Sequence, residues 1–208
     1  MKLTRRGLFA SAAGLAAGPS ILSALGKAGL AAGSLMEVRA AAGAVSGTLR
    51  FRHREYACVL GHSGIVEAKR EGDGGTPAGT FPLREVRYRP DRVARPQSGL
   101  AVIATNPDDG WCDESSDPAY NRLVRMPYKA DAEVMWRDDH VYDILTVIGY
   151  NDAPVVPGLG SAIFLHVARL APDGGLLSTV GCIAMKEPDL RAVLVGCRSG
   201  IMIDIRTT

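Results

Sequence analysis

The sequence predicts a single, mostly β domain with one or two short helices. A chain of 208 residues is long enough for one domain with a real core and too short for two comfortable ones. Aromatic residues make up only 6%, whereas 24 glycines and 12 prolines favour many short strands joined by tight turns. The balance of 47% apolar and 22% charged residues is that of an ordinary globular protein and excludes wholesale disorder.

Apolar segments of strand length follow one another along the chain, and Gly, Pro, Asp or Asn separate them. The sequence has no internal repeat, and its composition does not shift again after residue 46. The predicted strands are Gly47–Phe51, Tyr56–Gly61, Ile65–Lys69, Gly79–Arg84, Leu100–Ala104, Val141–Tyr150, Ser161–Val167, Val180–Met185 and Ile201–Ile205.

Two stretches between the strands predict loops, and one late stretch predicts a helix. The string of turn formers at Asp73–Gly79 indicates tight turns, and the polar run Pro107–Pro118 indicates an irregular surface loop. Pro188 suits the first turn of the late helix and Gly200 its far end. The apolar residues that recur there at the i, i+3, i+4 and i+7 spacing of a helix face are Leu190, Val193, Leu194 and Cys197.

The first 42 residues are predicted to be an export signal rather than part of the fold. Lys2, Arg5 and Arg6 form a basic start, and the mildly apolar stretch Gly7–Leu25 follows it. The run Thr4–Phe9 resembles the twin-arginine export motif, which implies passage across the membrane after folding.

Small residues at the −3 and −1 positions predict cleavage of this signal after Ala42 or Ala44. An uncleaved membrane anchor is the alternative, but Gly14, Pro19 and Gly26 interrupt the stretch and would make a poor spanning helix. We therefore expect an exported protein of the periplasm or cell envelope, without stable membrane insertion after cleavage. The folded domain is expected to cover residues 47–207.

The charge of the chain does not indicate a nucleic-acid partner. The whole sequence has 24 basic and 22 acidic residues, and residues 1–42 hold five of the basic residues and one of the acidic ones. The remaining 19 basic and 21 acidic residues give the exported part a net charge of −2. It has neither a basic stripe nor an interleaved aromatic platform, so we expect no nucleic-acid binding.

Four cysteines bear on the chemistry, namely Cys58, Cys112, Cys182 and Cys197. Their spacing contains no Cys-x-x-Cys pair and matches no metal-ligand pattern. An exported protein meets an oxidising compartment, so a disulfide is allowed, and Cys58 with Cys112 is one candidate pair. Two bridges would leave no thiol free to react. Cys197 lies on the apolar face of the predicted helix and is expected in the core.

A histidine and a cysteine at the ends of two apolar segments form the main catalytic candidate. Ser161–His166 ends in the histidine, and Thr179–Met185 contains Gly181-Cys182. A free thiol is mostly protonated near neutral pH, so a neighbouring imidazole is needed to take its proton. Backbone N–H groups at Gly181 and Cys182 would hold the oxyanion of a tetrahedral intermediate. The alternative is a buried cysteine beside a hydrogen-bonded histidine, because free cysteine is among the most buried residue types.

These segments resemble the signature of the L,D-transpeptidase catalytic domain, often called YkuD-like. His166, the spacer and the Thr179-x-Gly181-Cys182-Ile183 run match the branch of that family with Thr-x-Gly-Cys in place of Ser-His-Gly-Cys. The resemblance extends over residues 47–207. Its further segments are Lys69–Phe81, Trp111–Asp113, Tyr120–Asn121, Tyr142–Asp143 and Gly149–Asn151.

The resemblance implies a β-sandwich domain that cross-links peptidoglycan stem peptides. Cys182 would attack the bond between the diamino acid and the terminal D-alanine of a tetrapeptide stem. The thioester would then pass to the side-chain amine of another stem, giving a 3→3 cross-link. His166 would be the general base and acid, oriented by backbone carbonyls. Thr179, Tyr150 and Asn151 would contact the substrate, and neither a metal nor an organic cofactor is implied.

One position departs from the family pattern. Many members carry an arginine two residues after the cysteine, where this chain has Ala184. Arg122, Arg125 and Arg169 are candidates for its task. Two other functions remain open: a carboxypeptidase or other wall-peptide hydrolase of the same fold, and a non-catalytic wall-binding module with an inert Cys182.

Overall fold

The computed structural model describes residues 34–208, which form fourteen strands and one α-helix. Residues 1–33, most of the predicted export signal, lie outside the described residues. The elements are β1 (Leu35–Ala40), β2 (Ser46–Phe51), β3 (Arg54–Val59), β4 (Ile65–Val66), β5 (Thr76–Pro77), β6 (Gly79–Tyr88), β7 (Ala101–Ala104), β8 (Asp109–Cys112), β9 (Leu123–Arg125), β10 (Ala132–Val134), β11 (Ile144–Ile148), β12 (Phe164–Val167), β13 (Ile183–Met185), α1 (Glu187–Gly196) and β14 (Met202–Thr207).

Nine of these strands form one large sheet that closes on itself. Its order is β11-β12-β13-β3-β2-β1-β14-β6-β7, and β11 also pairs with β6. Closure is possible because β6 is ten residues long: its first half pairs with β14 and its second half with β11. The space enclosed by these strands holds the main hydrophobic core. The prediction of a mostly β, sandwich-like domain is confirmed.

β1 is an interior strand of this sheet. All six of its residues pair in parallel with β14, and its other edge pairs with β2. Met36 and Val38 are fully buried in the core. Cleavage after Ala42 or Ala44 would remove this strand and open the sheet between β2 and β14. The first strand of the described residues begins at Leu35, ahead of the predicted domain start at residue 47, so a core strand lies within the stretch assigned to the signal.

The predicted helix is present as α1 and ends earlier than expected. Pro188 lies in its first turn, and Leu190, Val193 and Leu194 are fully buried. The backbone turns extended at Cys197, with φ −70° and ψ 146°, so the helix stops before Gly200. Cys197 is buried in the core, as expected from its place on the apolar face.

A second, small sheet covers one side of the large one, in the order β10-β8-β9. β8 lies within Pro107–Pro118, so the prediction of an irregular surface loop was wrong for this part. Its fully buried Asp109 pairs with Arg87 at 3.1 Å and with Arg125 at 2.6 Å. A strand that buries a charged residue in this way is not revealed by alternation of hydrophobic and polar residues. Within residues 34–208, no helix is long and apolar enough to cross a membrane.

Candidate active site

His166 and Cys182 lie at neighbouring strands and line the same cavity. β12 and β13 pair in parallel, with His166 opposite Ala184. Cys182 precedes Ala184 by two residues, so its side chain and that of His166 project from the same face of the strand pair. Both line a cavity of about 380 Å³. The structure therefore brings together the two residues that the sequence singled out.

The Cys182 thiol rests against the loop that leads into β12. Its Sγ donates a hydrogen bond to the carbonyl of Ala162 at 3.2 Å and accepts one from the N–H of Phe164 at 3.4 Å. Ala162 has a φ of 52°, a conformation that non-glycine residues rarely adopt and that clusters at functional sites. β12 accordingly begins at Phe164 rather than at the predicted Ser161. Among the described residues, no hydrogen bond joins Sγ to the imidazole of His166.

The imidazole of His166 is buried and held by the backbone. Its Nδ1 lies 2.8 Å from the carbonyl oxygen of Val167. The ring meets that of Tyr142 edge to face, with 5.4 Å between centroids. A backbone carbonyl, rather than a carboxylate, thus orients the ring, in keeping with the arrangement that the resemblance implied.

Both groups are uncharged near neutral pH. Burial, and to a smaller extent the carboxylate of Glu133, raise the pKa of the Cys182 thiol to about 12, against the opposing effect of the N–H of Phe164. Burial lowers the pKa of His166 to about 4, although its bond to Val167 opposes this. The resting site therefore holds a thiol and a neutral imidazole.

Gly181 and Thr179 shape the turn that carries the thiol. Gly181 has a φ of 143°, which favours glycine, and a side chain there would come within 3.1 Å of the Gly75 carbonyl. Its N–H donates to Thr179 Oγ1 at 3.1 Å, and that hydroxyl donates to the carbonyl of Cys182 at 2.7 Å. The N–H predicted to hold an oxyanion is thus engaged with Thr179 in this state, and its catalytic role stays a prediction.

Tyr150 and Asn151 lie outside the residues that line this cavity. The Tyr150 hydroxyl donates to the carbonyl of Leu159 at 2.5 Å. The side chain of Asn151 bonds to the backbone of Val156 and Gly160 within the same loop. These contacts support the loop before β12, and direct substrate contact by the two residues stays a prediction.

Sequence reasoning missed Asn121 as a residue of the site. Its Oδ1 accepts hydrogen bonds from the N–H of Ala162 at 3.1 Å and the indole of Trp111 at 2.9 Å. Its Nδ2 donates to the carbonyls of Tyr150 and Asn151. Asn121 thereby holds the backbone N–H of Ala162, the residue whose carbonyl accepts the hydrogen bond from the Cys182 thiol. The Tyr120-Asn121 match to the family was the available signal in the sequence, but it did not indicate which residues Asn121 contacts.

Charged side chains surround the thiol, and three of them, Glu133, Arg137 and Asp139, had no signature in the sequence. Ala184 is fully buried beside His166, so a long cation at that position would not fit in this fold. Of the three arginines considered as substitutes, Arg169 lines the cavity, whereas Arg122 and Arg125 do not. The other charged residues at the cavity are Lys69, Glu71, Asp113, Glu133, Arg137 and Asp139.

All four cysteines are free in the structure, and all are buried. Cys58 belongs to β3 of the large sheet and Cys112 to β8 of the small one, so the candidate bridge is not formed. Within residues 34–208, no group of His, Cys, Asp and Glu side chains is placed to hold a metal ion.

A comparison with protein families gives one match. The model of the L,D-transpeptidase catalytic domain, YkuD, matches residues 42–203. No curated protein and no solved structure matches the chain. The matched range covers most of the chain and includes His166 and Cys182, and the chain therefore belongs to the L,D-transpeptidase catalytic domain family.

Proposed function

We propose that this protein is a peptidoglycan L,D-transpeptidase with Cys182 as its nucleophile and His166 as its general base. The observation that carries the proposal is the common cavity of the two side chains, in a domain of this family. A non-catalytic wall-binding module would not need an imidazole beside a thiol at the floor of an open cavity. The proposed reaction is the formation of 3→3 cross-links between stem peptides.

Acylation begins with a proton transfer from the thiol to the imidazole. A neutral His166 with its Nδ1 proton on the Val167 carbonyl leaves Nε2 unprotonated, so Nε2 is the base. The thiol must first leave the carbonyl of Ala162 and turn toward that nitrogen. In the resting state the thiol and the imidazole are both uncharged, so no charge draws them together. Substrate binding excludes water from the cavity and favours the rotation.

The thiolate then attacks the carbonyl between the diamino acid and the terminal D-alanine. The oxyanion is held by backbone N–H groups of the Gly181-Cys182 turn, and Gly181 gives up its bond to Thr179 Oγ1 for this purpose. His166 returns its proton to the departing amine of D-alanine. The product of this half-reaction is a thioester between Cys182 and the shortened stem, which the amine of a second stem converts into the cross-link.

Arg169 is the cation best placed to receive a substrate carboxylate. Lys69 is already paired with Asp73 at 2.5 Å, and Arg137 with Asp139 at 2.7 Å. The exposed side chain of Arg169 makes no ion pair or side-chain hydrogen bond with the described residues. We propose that it takes over the task left by the alanine at position 184.

Product analysis tests this proposal against a hydrolase of the same fold. The purified protein is incubated with disaccharide tetrapeptides, and the products are resolved by mass spectrometry. We expect cross-linked dimers that have lost one D-alanine, and no products from Cys182→Ala. Tripeptides without dimers would show a carboxypeptidase instead, and unchanged tetrapeptides would contradict both enzymatic functions.

We also propose that the protein acts outside the cytoplasm, since its family acts on the cell wall and its first residues resemble an export signal. The interior position of β1 requires that any cleavage fall before Leu35.

A further inference from the structure

Glu133 faces the nucleophile from the small sheet. It lies in β10, opposite Trp111 of β8, and lines the same cavity as Cys182. The hydroxyl of Tyr142 donates a hydrogen bond to its Oε1 at 2.6 Å. The same hydroxyl interacts with the sulfur of Cys182, lowering the pKa that burial raises. One tyrosine therefore connects the carboxylate to the nucleophile.

The second carboxylate oxygen of Glu133 is available to a ligand. Oε2 accepts no hydrogen bond from any residue within 34–208, and only Oε1 is engaged. Arg137 is 3.7 Å from Oε1 but directs its Nε and one terminal nitrogen to Asp139, at 2.8 and 2.7 Å. The negative charge of Glu133 is thus only partly compensated.

A further carboxylate stands beside Glu133. Asp113 follows β8, and its N–H bonds to the carbonyl of Asp131 just before β10. Its Oδ1 is buried and has no hydrogen-bond partner among residues 34–208. The charged and titratable groups that face Glu133 are Asp113, Arg137, Asp139, Tyr142 and Cys182. Glu133 thus has a second acid beside it and one cation, Arg137, that is mainly engaged with Asp139, so this part of the cavity wall is complementary to an incoming cation.

We infer that Glu133 binds the ammonium group of the acceptor and takes its proton before the amine attacks the thioester. This inference rests on the transpeptidase function proposed above. An amine of a diamino acid is mostly protonated near neutral pH and has no lone pair to attack with. Glu133 supplies both the charge that holds the ammonium and the base that frees the lone pair.

Glu133 suits this role better than His166 does. Burial raises the pKa of Glu133, against the bond from Tyr142, which makes it a stronger base than an ordinary carboxylate. Burial lowers the pKa of His166 to about 4, so the imidazole is a weak base toward an ammonium ion. His166 is suited to deprotonating the Cys182 thiol, because it accepts the proton while the sulfur forms its bond to the substrate carbonyl carbon.

The acceptor nitrogen loses two protons during the transfer. The ammonium gives one proton to Glu133, and the freed amine forms a C–N bond to the thioester carbon. The C–S bond breaks, and the second amine proton passes through His166 to the departing sulfur of Cys182. The products are a secondary amide, the free thiol and a protonated Glu133, which releases its proton to water when the cross-linked peptide leaves.

The test measures how the thioester partitions between an amine and water. The enzyme is acylated with a tetrapeptide donor, and a diamino acid is offered as the acceptor. Wild type and Glu133→Gln are compared near neutral pH and at about pH 10, where a substantial fraction of the amine is unprotonated. We expect Glu133→Gln to form the thioester and to lose amine transfer about 100-fold near neutral pH. Transfer should recover at about pH 10, because the acceptor no longer needs a base.

Glu67→Gln provides the matched control, since Glu67 is exposed and does not line the cavity. Equal transfer by Glu133→Gln and wild type near neutral pH would overturn the inference, as would an equal loss at both pH values. Failure of wild type to form any thioester would contradict the proposed function itself, which distinguishes the two failures.

Wild type alone gives an independent test if the glutamine variant does not fold. Amine transfer that falls about tenfold for each pH unit below the acceptor's pKa would mean that only free amine reacts, and would overturn the inference. A clearly shallower dependence is the expected result.

Discussion

The thiol of Cys182 donates its hydrogen bond to the carbonyl of Ala162, at 3.2 Å, and not to His166. With the pKa of the thiol raised to about 12 and that of the imidazole lowered to about 4, the resting enzyme holds an uncharged pair. In the proposed mechanism, activation of Cys182 is therefore coupled to substrate binding rather than built into the free protein.

Alkylation of Cys182 should show this protonation state directly. A thiolate fraction set by a pKa of about 12 rises about tenfold with each pH unit, without a plateau near neutral pH. Iodoacetamide labelling of the Cys182 peptide, followed by mass spectrometry over a range of pH, measures the slope. A rate that levels off below neutral pH would indicate a preformed thiolate–imidazolium pair and contradict the account.

Replacing Asn121 should weaken both the fold and the active site. Asn121→Ala leaves the N–H of Ala162 and the carbonyls of Tyr150 and Asn151 without their partner. The expected loss is about 1–3 kcal/mol in the free energy of unfolding, with slower acylation of Cys182. Denaturant unfolding measures the first and D-alanine release the second.

Asn106→Ala is the control for that experiment, because Asn106 is exposed and its side chain makes no hydrogen bond with the described residues. Equal stability of the two variants would show that Asn121 does not hold the Ala162 peptide as described.

The burial of His166 should make the fold sensitive to acid. Its pKa is about 4 in the folded state and 6.5 when unperturbed, so the unfolded chain binds the proton first as the pH falls. The contribution of the neutral His166 to the free energy of unfolding is complete above pH 6.5. It is lost as the pH falls from 6.5 to about 4, and the loss over that window is on the order of 3 kcal/mol. As the pH falls from 6.5 to about 4, the free energy of unfolding of His166→Gln should decrease less steeply than that of wild type. If the two decrease in parallel, His166 is not the group responsible for the acid sensitivity.

The amino terminus of the mature protein should lie before Leu35. β1 pairs with β2 and β14 and buries Met36 and Val38, so its removal would expose core and two strand edges. We expect N-terminal sequencing of the exported protein to give a residue ahead of Leu35, and a chain that starts at Val45 to be unfolded. A stable, folded protein that starts at residue 43 or 45 would contradict this.

Local patterns predicted much of the fold and the two central residues of the site. Val193 and Leu194 marked the helix by spacing, and the apolar segments marked most strands of the large sheet. β1 was missed because it lies between two stretches rich in small residues, 26–34 and 40–44, and was assigned with them to the signal. β8 was missed because its buried Asp109 satisfies its charge with two arginines distant in sequence.

The surroundings of the thiol depend on long-range contacts, which no local pattern reveals. Asn121 reaches Ala162, and Tyr142 reaches Glu133, only after the small sheet has packed on the large one. The family signature located His166 and Cys182 but gave neither the acidic wall formed by Asp113 and Glu133 nor the bond of the resting thiol to Ala162.

The most direct test of the central claim is the isolation of the thioester. Wild-type protein is mixed with a tetrapeptide donor without acceptor, quenched in acid, digested and mapped by mass spectrometry. We predict that the peptide containing Cys182 gains the mass of the donor minus D-alanine, and that Cys182→Ala gains none. An adduct on another residue, or the same adduct on Cys182→Ala, would show that Cys182 is not the nucleophile.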